Sequence, residues 1–176
     1  MPDNVYLGNP NLKKANTAIE FTQEQILEFM RCKEDPVYFA NKYIKIVSLD
    51  EGLTQFHPYH FQEKLINNFH ENRFNICKMP RQTGKSTTVV SYLLHYAVFN
   101  DSVNIGILAN KAATARELLG RLQTAYENLP KWMQQGIIAW NKGSLELENG
   151  SKILAASTSA SAVRGMSFNI LFLDEF

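Results

Sequence analysis

The spacing of apolar positions along the chain changes near residue 74. Before that point, apolar residues recur every three to four positions, as they do on one face of a helix. After it, continuous apolar runs of strand length alternate with helical segments, which is typical of strands buried in a parallel sheet. This order predicts an α/β domain, with helices flanking a mainly parallel sheet.

Three amphipathic helices are predicted in the first part of the chain. "TQEQILEFMRC" begins with a Thr-x-x-Gln capping box at Thr22 and Gln25. "PVYFANKYI" opens on Pro36, a residue that favours the first helical position. The third helix covers residues 58–72. Residues 1–20 show no periodicity and are expected to form a flexible N-terminal arm.

The remaining chain alternates strands with helices. "FNICKM" is a predicted strand followed by the helix "GKSTTVVSYLLHYAVF", and the strand "VNIGILAN" is followed by the helix "KAATARELLGRLQTAYENLP". "GSLELENGSKILAAS" alternates around Asn149-Gly150, which predicts a hairpin with a two-residue turn. "NILFLDEF" is again a buried type of strand. Residues 21–176 are therefore expected to form one unit.

Composition narrows the class of protein. The chain has 176 residues, 45% of them hydrophobic and 20% charged, which suits one soluble domain. Its net charge of +1 gives no overall excess of the kind that marks nucleic-acid binding. Two cysteines, Cys32 and Cys77, indicate a reducing compartment. No apolar run is long enough to span a bilayer, so no membrane association is expected.

The segment "KMPRQTGKST" nearly matches the phosphate-loop pattern G-x-x-x-x-G-K-[ST]. Gly84, Lys85 and Ser86 fill the end of the pattern, but Met79 stands where the first glycine is expected. A strand before the loop and a helix after it are the required context, because N–H groups at the helix N-terminus then face the phosphates. The alternative is a plain strand-to-helix turn, in which Gly84 only eases the bend.

Two acids close the last predicted strand. Asp174 follows an apolar run, where a charge is costly without a cation, and this suits a Mg²⁺ site. Glu175 beside it suits a carboxylate that orients and deprotonates the attacking water. A further strand between Lys85 and Asp174 is typical of the ATPase branch of P-loop proteins that carries a catalytic glutamate. Solvated charges in a loop are the alternative.

Four motifs together resemble the large terminase subunit of tailed bacteriophages, of the T-even-like myovirus type: "RQTGKS", "NKGSLELENGS", "AVRG" and "LFLDE". The resemblance runs from about Phe56 to Phe176. It implies a P-loop NTPase fold of the ASCE type and an ATPase that powers translocation of double-stranded DNA into the procapsid, with ATP and Mg²⁺ as cofactors. That family commonly lacks the first glycine of the loop, which accounts for Met79.

The resemblance also implies roles for single residues. Lys85 is expected to neutralise the β and γ phosphates, Ser86 to ligate Mg²⁺, Asp174 to hold the ion through water, and Glu175 to activate the hydrolytic water. Arg81 is expected to stabilise the γ-phosphate, since a guanidinium matches phosphate oxygens in pairs. The expected nucleotide-binding loop comprises Pro80, Arg81, Gln82, Thr83, Gly84, Lys85, Ser86 and Thr87.

Three more residues have implied roles outside the loop. Phe61 and Gln62 lie where related motors carry an adenine-recognising motif, so Phe61 is expected to stack on the base and Gln62 to contact its N6 and N7 edge. Arg164 is expected to contact the γ-phosphate, in its own subunit or a neighbouring one. Ordinary helix and surface positions are the alternatives. Trp132 and Trp140 are expected to serve packing.

The resemblance implies partners as well: double-stranded DNA, the portal protein of the procapsid and the small terminase subunit. A homo-oligomeric ring on the capsid, a monomer in isolation and a location in the cytoplasm of the infected bacterial host are expected. The sequence ends directly after the predicted catalytic glutamate, so no nuclease is assigned to this chain and weak or absent ATP hydrolysis is expected. A helicase-like P-loop ATPase and a non-hydrolysing nucleotide-binding or assembly module are the alternatives.

Overall fold

Five α-helices, one short 3₁₀ helix (Tyr6–Gly8) and seven strands lie in the part of the chain that the computed structural model describes, residues 4–48, 50–159 and 165–174. The helices are α1 (Gln23–Glu34), α2 (Pro36–Tyr43), α3 (His60–Glu71), α4 (Lys85–Phe99) and α5 (Ala112–Glu127). The strands are β1 (Lys45–Ser48), β2 (Gly52–Gln55), β3 (Asn104–Ala109), β4 (Ile137–Trp140), β5 (Ser144–Leu147), β6 (Lys152–Ser157) and β7 (Ile170–Asp174).

The main sheet has the strand order β4-β5-β6-β3-β7. Strand β3 pairs in parallel with both β6 and β7, while β4, β5 and β6 pair antiparallel. Strands β1 and β2 form a separate antiparallel hairpin. The predicted α/β class is confirmed, and the sheet is mixed, with its parallel half carrying β7.

Helix α4 lies at the centre of the core. It is apolar on nearly all sides, as its sequence predicts, and eleven of its residues are buried. It packs against α2, α3 and α5, while Ile105 and Ile107 of β3 are fully buried in the same core. Among the described residues, no helix is long and apolar enough to cross a membrane.

Strand β7 has two unlike faces. Ile170 and Phe172 pack against the core, whereas Leu171 and Leu173, on the opposite face of the pleat, remain about half exposed. On the neighbouring strand, a side chain at Gly106 would meet Leu171 at 2.8 Å. The hydrophobic core therefore covers the face of β7 that carries Ile170 and Phe172.

Two predicted helix starts are confirmed. Thr22 accepts a hydrogen bond from the Gln25 N–H at 3.2 Å, and the Gln25 side chain accepts one from the Thr22 N–H at 3.0 Å, which completes the capping box. Pro36 occupies the first turn of α2, where the Asp35 carboxylate caps the N–H of Tyr38 at 2.8 Å.

The predicted hairpin is confirmed, but its loop is one residue longer than predicted. Leu147 donates its N–H to the Ser151 carbonyl at 2.9 Å, which leaves residues 148–150 between the strands. Gly150 has φ 82°, the left-handed conformation that ends a three-residue loop of this kind.

The predicted strand "FNICKM" is wrong. Residues 74–79 are irregular, and Phe74 and Ile76 have exposed fractions of 83% and 101%. A strand requires a hydrogen-bonding neighbour, and in the described residues β7 is the last strand on its side of the sheet. Apolar, β-favouring residues therefore have no ladder to join here.

The N-terminal arm packs on the sheet in the described residues, where a flexible arm was expected. Leu12 is fully buried, and Lys14 forms a parallel bridge with Ile137. Lys13 forms a 2.8 Å ion pair with Glu148. These contacts join residues 12–14 to β4 and to the β5–β6 hairpin.

Both tryptophans serve packing, as predicted. Trp132 contacts Tyr43 edge to face at a ring separation of 6.2 Å, and Trp140 lies 5.7 Å from the ring of Tyr126. Each is partly buried against the hydrophobic core.

Candidate functional site

The segment that the sequence marks as a phosphate loop, residues 79–86, turns sharply into α4. Gln82 has φ 60° and Gly84 has φ 73°, so the chain passes twice through the left-handed region. The Thr83 hydroxyl donates to the Pro80 carbonyl at 3.0 Å and closes the turn between them. Gly84 is the helix N-cap, a position where its conformation favours glycine.

The N-terminus of α4 is electropositive. Gly84 has no side chain with which to cap the first N–H groups, and the first turn contains no acidic residue. Lys85 lies in that turn, although a positive charge there opposes the helix dipole. Ser86 and Thr87 follow it in the same turn and are partly buried. This arrangement favours an anion at the helix N-terminus.

Basic residues near the loop add to the positive potential at the N-terminus of α4. Residues 72–100 include Arg73, Lys78, Arg81 and Lys85 but no acidic residue. Burial raises the pKa of the Cys77 thiol, and the charge of nearby Lys85 partly offsets that rise. Lys85 thus lies close to the segment that precedes the loop, while Arg81 is exposed on the loop itself.

Gln62 joins α3 to the loop. Its side chain is only 3% exposed. Its amide oxygen accepts a hydrogen bond from the Tyr59 N–H at 2.8 Å, and its amide nitrogen donates to the Thr83 carbonyl at 3.2 Å. A side chain at Gly84 would meet the same nitrogen at 2.5 Å. The predicted base-reading residue thus contacts the loop directly.

Phe61 lies on an exposed aromatic pair. Its ring stacks on that of Tyr59 with centroids 5.9 Å apart and an interplanar angle of 8°. Tyr59 is 70% exposed and Phe61 46%. The sequence analysis did not predict Tyr59 as a site residue. Two aromatic residues beside a glutamine at the start of a helix could have indicated a surface for stacking a base. The pair offers an apolar surface next to the residue that contacts the loop.

Asp174 ends β7 and is buried there. It lies in register with Ala109, the last residue of the parallel strand β3, so both strands end at the same edge of the sheet. The other two predicted site residues of this region, Glu175 and Arg164, lie outside the described residues. Their roles, like that of Asp174, stay predictions.

A match to a family model identifies the protein family of this chain. The model described as terminase large subunit, T4likevirus-type, N-terminal, matches residues 76–176, which include the loop and β7. The chain belongs to this family. The match favours the terminase interpretation over the helicase-like alternative.

A solved structure supports the fold of this terminase chain. It is similar to the crystal structure of the HK97 bacteriophage large terminase, with a TM-score of 0.66 and 19% sequence identity. The similarity covers 81% of this chain and 31% of the other. At this identity the comparison carries the fold alone, and the chain spans about a third of the length of the protein that it resembles.

Proposed function

We propose that this chain is the nucleotide-binding part of a DNA-packaging ATPase, with residues 79–86 acting as a P-loop for ATP and Mg²⁺. The observation that carries the proposal is the N-terminus of α4. It is uncapped and free of acids in its first turn, and it carries Lys85 where the helix dipole disfavours a cation. A bound phosphate would turn this unfavourable placement into a favourable one.

The roles proposed for the loop follow from the chemistry of its side chains. Lys85 would pair with the β and γ phosphates, and Ser86 would ligate Mg²⁺ through its hydroxyl. Arg81, exposed on the loop, would contact the γ-phosphate with its guanidinium. Phe61 would stack on adenine with one face of its exposed ring, supported on the other by Tyr59.

Mg²⁺, two acidic residues and one arginine would supply the remaining chemistry. Mg²⁺, when bound, would neutralise charge that develops on the phosphates. The carboxylate of Asp174, at the end of a buried strand, would hold the ion through water. Glu175 would accept a proton from the attacking water, and Arg164 would stabilise the γ-phosphate from its own or a neighbouring subunit.

Membership of the terminase family supports a wider proposal for the complete protein. ATP hydrolysis would drive double-stranded DNA into a procapsid, with the portal protein and the small terminase subunit as partners. A ring of subunits on the capsid would place Arg164 of one subunit near the nucleotide of the next.

Nucleotide binding is tested by thermal unfolding. At about 100 times its dissociation constant, ATP–Mg²⁺ should stabilise the chain by roughly 2.7 kcal/mol, which raises Tm by about 5–10 °C for a protein of this size. Lys85→Ala should abolish the shift. Lys142→Ala, which removes an exposed lysine from the β4–β5 turn, is the matched control and should keep it. An unshifted wild-type protein would contradict the proposal.

A second function has one observation in its favour. Residues 74–79, which lead into the loop, are mostly exposed and join no strand of the described chain. A phosphate loop that no strand holds in place favours a module that binds nucleotide but does not hydrolyse it. Steady-state phosphate release separates the two: binding with turnover supports the ATPase, and binding with no release above the Lys85→Ala background supports the module.

A further inference from the structure

The outward face of α1 carries a group of apolar side chains that no described element covers. Ile26, Leu27 and Met30 are each about half exposed or more. Residues three and four positions apart lie together on a helix surface, so these three form one continuous area, called here the α1 patch. Single exposed apolar residues are ordinary, whereas a contiguous group of them is typical of a surface that contacts another molecule.

The opposite face of α1 is held firmly within the molecule. Cys32 is buried, and the ring of Phe29 packs edge to face on Phe99 of α4 at a separation of 4.8 Å. The Glu28 carboxylate accepts a hydrogen bond from the Tyr43 hydroxyl of α2 at 2.8 Å. These contacts fix the helix against α2 and α4, so the α1 patch is presented to solvent on a rigid element.

Charges of opposite sign lie near the two ends of the α1 patch. Glu24 is in the first turn of α1 and Arg31 is in the last. They are seven residues apart, which is close to two helical turns, so both lie on the same side of the helix. Neither forms an ion pair within the described residues. The Arg31 guanidinium lies 3.8 Å from the centre of the Tyr38 ring, which orients it without neutralising its charge. Lys33 and Glu34, the last two charged residues of the helix, have opposite signs.

We propose that two copies of this chain pair through the α1 patch, with their α1 helices antiparallel about a two-fold axis. The first turn of each helix then lies beside the last turn of the other. Glu24 of each copy lies opposite Arg31 of the other, so two ion pairs flank the contact. Between them, Ile26 of one copy meets Met30 of the other, and Leu27 lies next to the axis.

The charge pattern favours a second copy in this orientation. A parallel pair of helices would place Glu24 beside Glu24 and Arg31 beside Arg31, and both contacts would be repulsive. Antiparallel helices also oppose their dipoles, which is the favourable arrangement. Nucleic acid does not suit the surface, because the α1 patch has no donor for a phosphate and Glu24 repels one.

The proposed contact is small. One helix of 12 residues from each copy buries less area than a standard stable interface, so we expect a dissociation constant on the order of 10–100 μM. The expected monomer therefore predominates in dilute solution. A ring of more than two subunits about a single axis contains no two-fold contact between its members, so the dimer is a state of the free protein and goes beyond the proposed function.

The association is measured by sedimentation equilibrium of this chain without nucleotide. Between about 1 and about 300 μM, the mass of the wild type should rise towards that of a dimer and not exceed it, because a two-fold contact closes on itself. Leu27→Gln should weaken the dimer roughly tenfold or more, since a buried apolar side chain is lost. Leu53→Gln is the matched control, because Leu53 is exposed on the separate β1–β2 hairpin, and it should leave the association unchanged. Met30→Gln serves as the second variant if Leu27→Gln unfolds.

Two charge variants test the antiparallel orientation. Glu24→Lys and Arg31→Glu should each weaken their own dimer roughly tenfold or more, because both flanking ion pairs become repulsive. An equal mixture of the two variants should regain the wild-type affinity. In the mixed dimer the introduced lysine faces the introduced glutamate, and the unchanged Glu24 and Arg31 face each other. Damage to the fold would not be repaired by mixing.

Four outcomes overturn the inference. A wild type that stays monomeric at the highest concentration would assign the α1 patch to a different protein. A mass that continues to grow beyond the dimer would exclude a two-fold contact. An equal loss in Leu53→Gln would place the contact elsewhere, and a mixture of the charge variants that stays dissociated would exclude the antiparallel orientation. Since no nucleotide is present, each of these results leaves the proposed nucleotide site to its own test.

Discussion

The carboxylate of Glu148 holds the ammonium of Lys13 at 2.8 Å and also accepts the N–H groups of Gly136 and Asn16. Glu148 belongs to the loop of the β5–β6 hairpin, whereas Lys13 and Asn16 come from the N-terminal arm. One partly buried side chain therefore fastens the beginning of the chain to the sheet.

This arrangement predicts a loss of stability in Glu148→Gln. The amide leaves the buried Lys13 ammonium without its counter-charge, so the free energy of unfolding at pH 7 should fall by about 1–3 kcal/mol. Urea titration measures it. Glu146→Gln is the matched control, because Glu146 pairs with Lys152 at 3.0 Å nearer the surface, and its loss should stay below about 0.5 kcal/mol.

The same carboxylate makes stability depend on pH. Burial alone would raise the pKa of Glu148, but the hydrogen bonds from Lys13, Gly136 and Asn16 outweigh it and lower the pKa below its ordinary value of 4.5. A lowered pKa in the folded state contributes stability above pH 4.5, and this contribution is lost as the pH falls through the folded value. In Glu148→Gln, the free energy of unfolding should therefore fall less steeply as the pH drops below 4.5. An unchanged fall would contradict this role of Glu148.

Phe61→Ala should weaken ATP without weakening inorganic triphosphate. Stacking of a base on an aromatic side chain contributes roughly 1–3 kcal/mol, so the dissociation constant of ATP should rise about 5- to 150-fold. Phe21→Ala is the control, because Phe21 is exposed to the same extent, 45% against 46% for Phe61. Equal losses for both ligands would show that Phe61 serves the packing of α3.

In the complete protein, Glu175→Gln should bind ATP normally and hydrolyse it slowly. The amide keeps the shape of the side chain but cannot accept the proton of the attacking water, so kcat should fall by roughly 10²–10⁴. Phosphate release at saturating ATP measures the rate, and calorimetry measures the affinity. Turnover equal to the wild type would place the general base elsewhere.

Sequence alone determined the features of this protein that depend on neighbours in the chain. Thr22 and Gln25 form their capping box because three residues of helix bring them together. Gly150 ends the hairpin loop because its own φ angle requires a glycine. The Gly-Lys-Ser motif marks the start of α4 for the same local reason, and the family model matches this part of the chain.

Short strands escaped sequence reasoning. Strands β1, β2 and β4 have four residues each, too few for alternation to stand out, and they exist because a partner pairs with them. The opposite error occurred at residues 74–79, where the pattern suits a strand but the described chain supplies no neighbour. Pairing, and not propensity, decided both cases.

Tertiary structure alone decided the partners of the candidate site. Gln62 and Thr83 are 21 residues apart, and Asn16 and Glu148 are 132 residues apart. A sequence shows that each side chain has donors or acceptors to satisfy, but burial fixes which group satisfies them, because a buried polar atom must use what the packing places beside it. Gln62 therefore has a predictable need for hydrogen bonds, and only the approach of α3 to the loop directs it to Thr83.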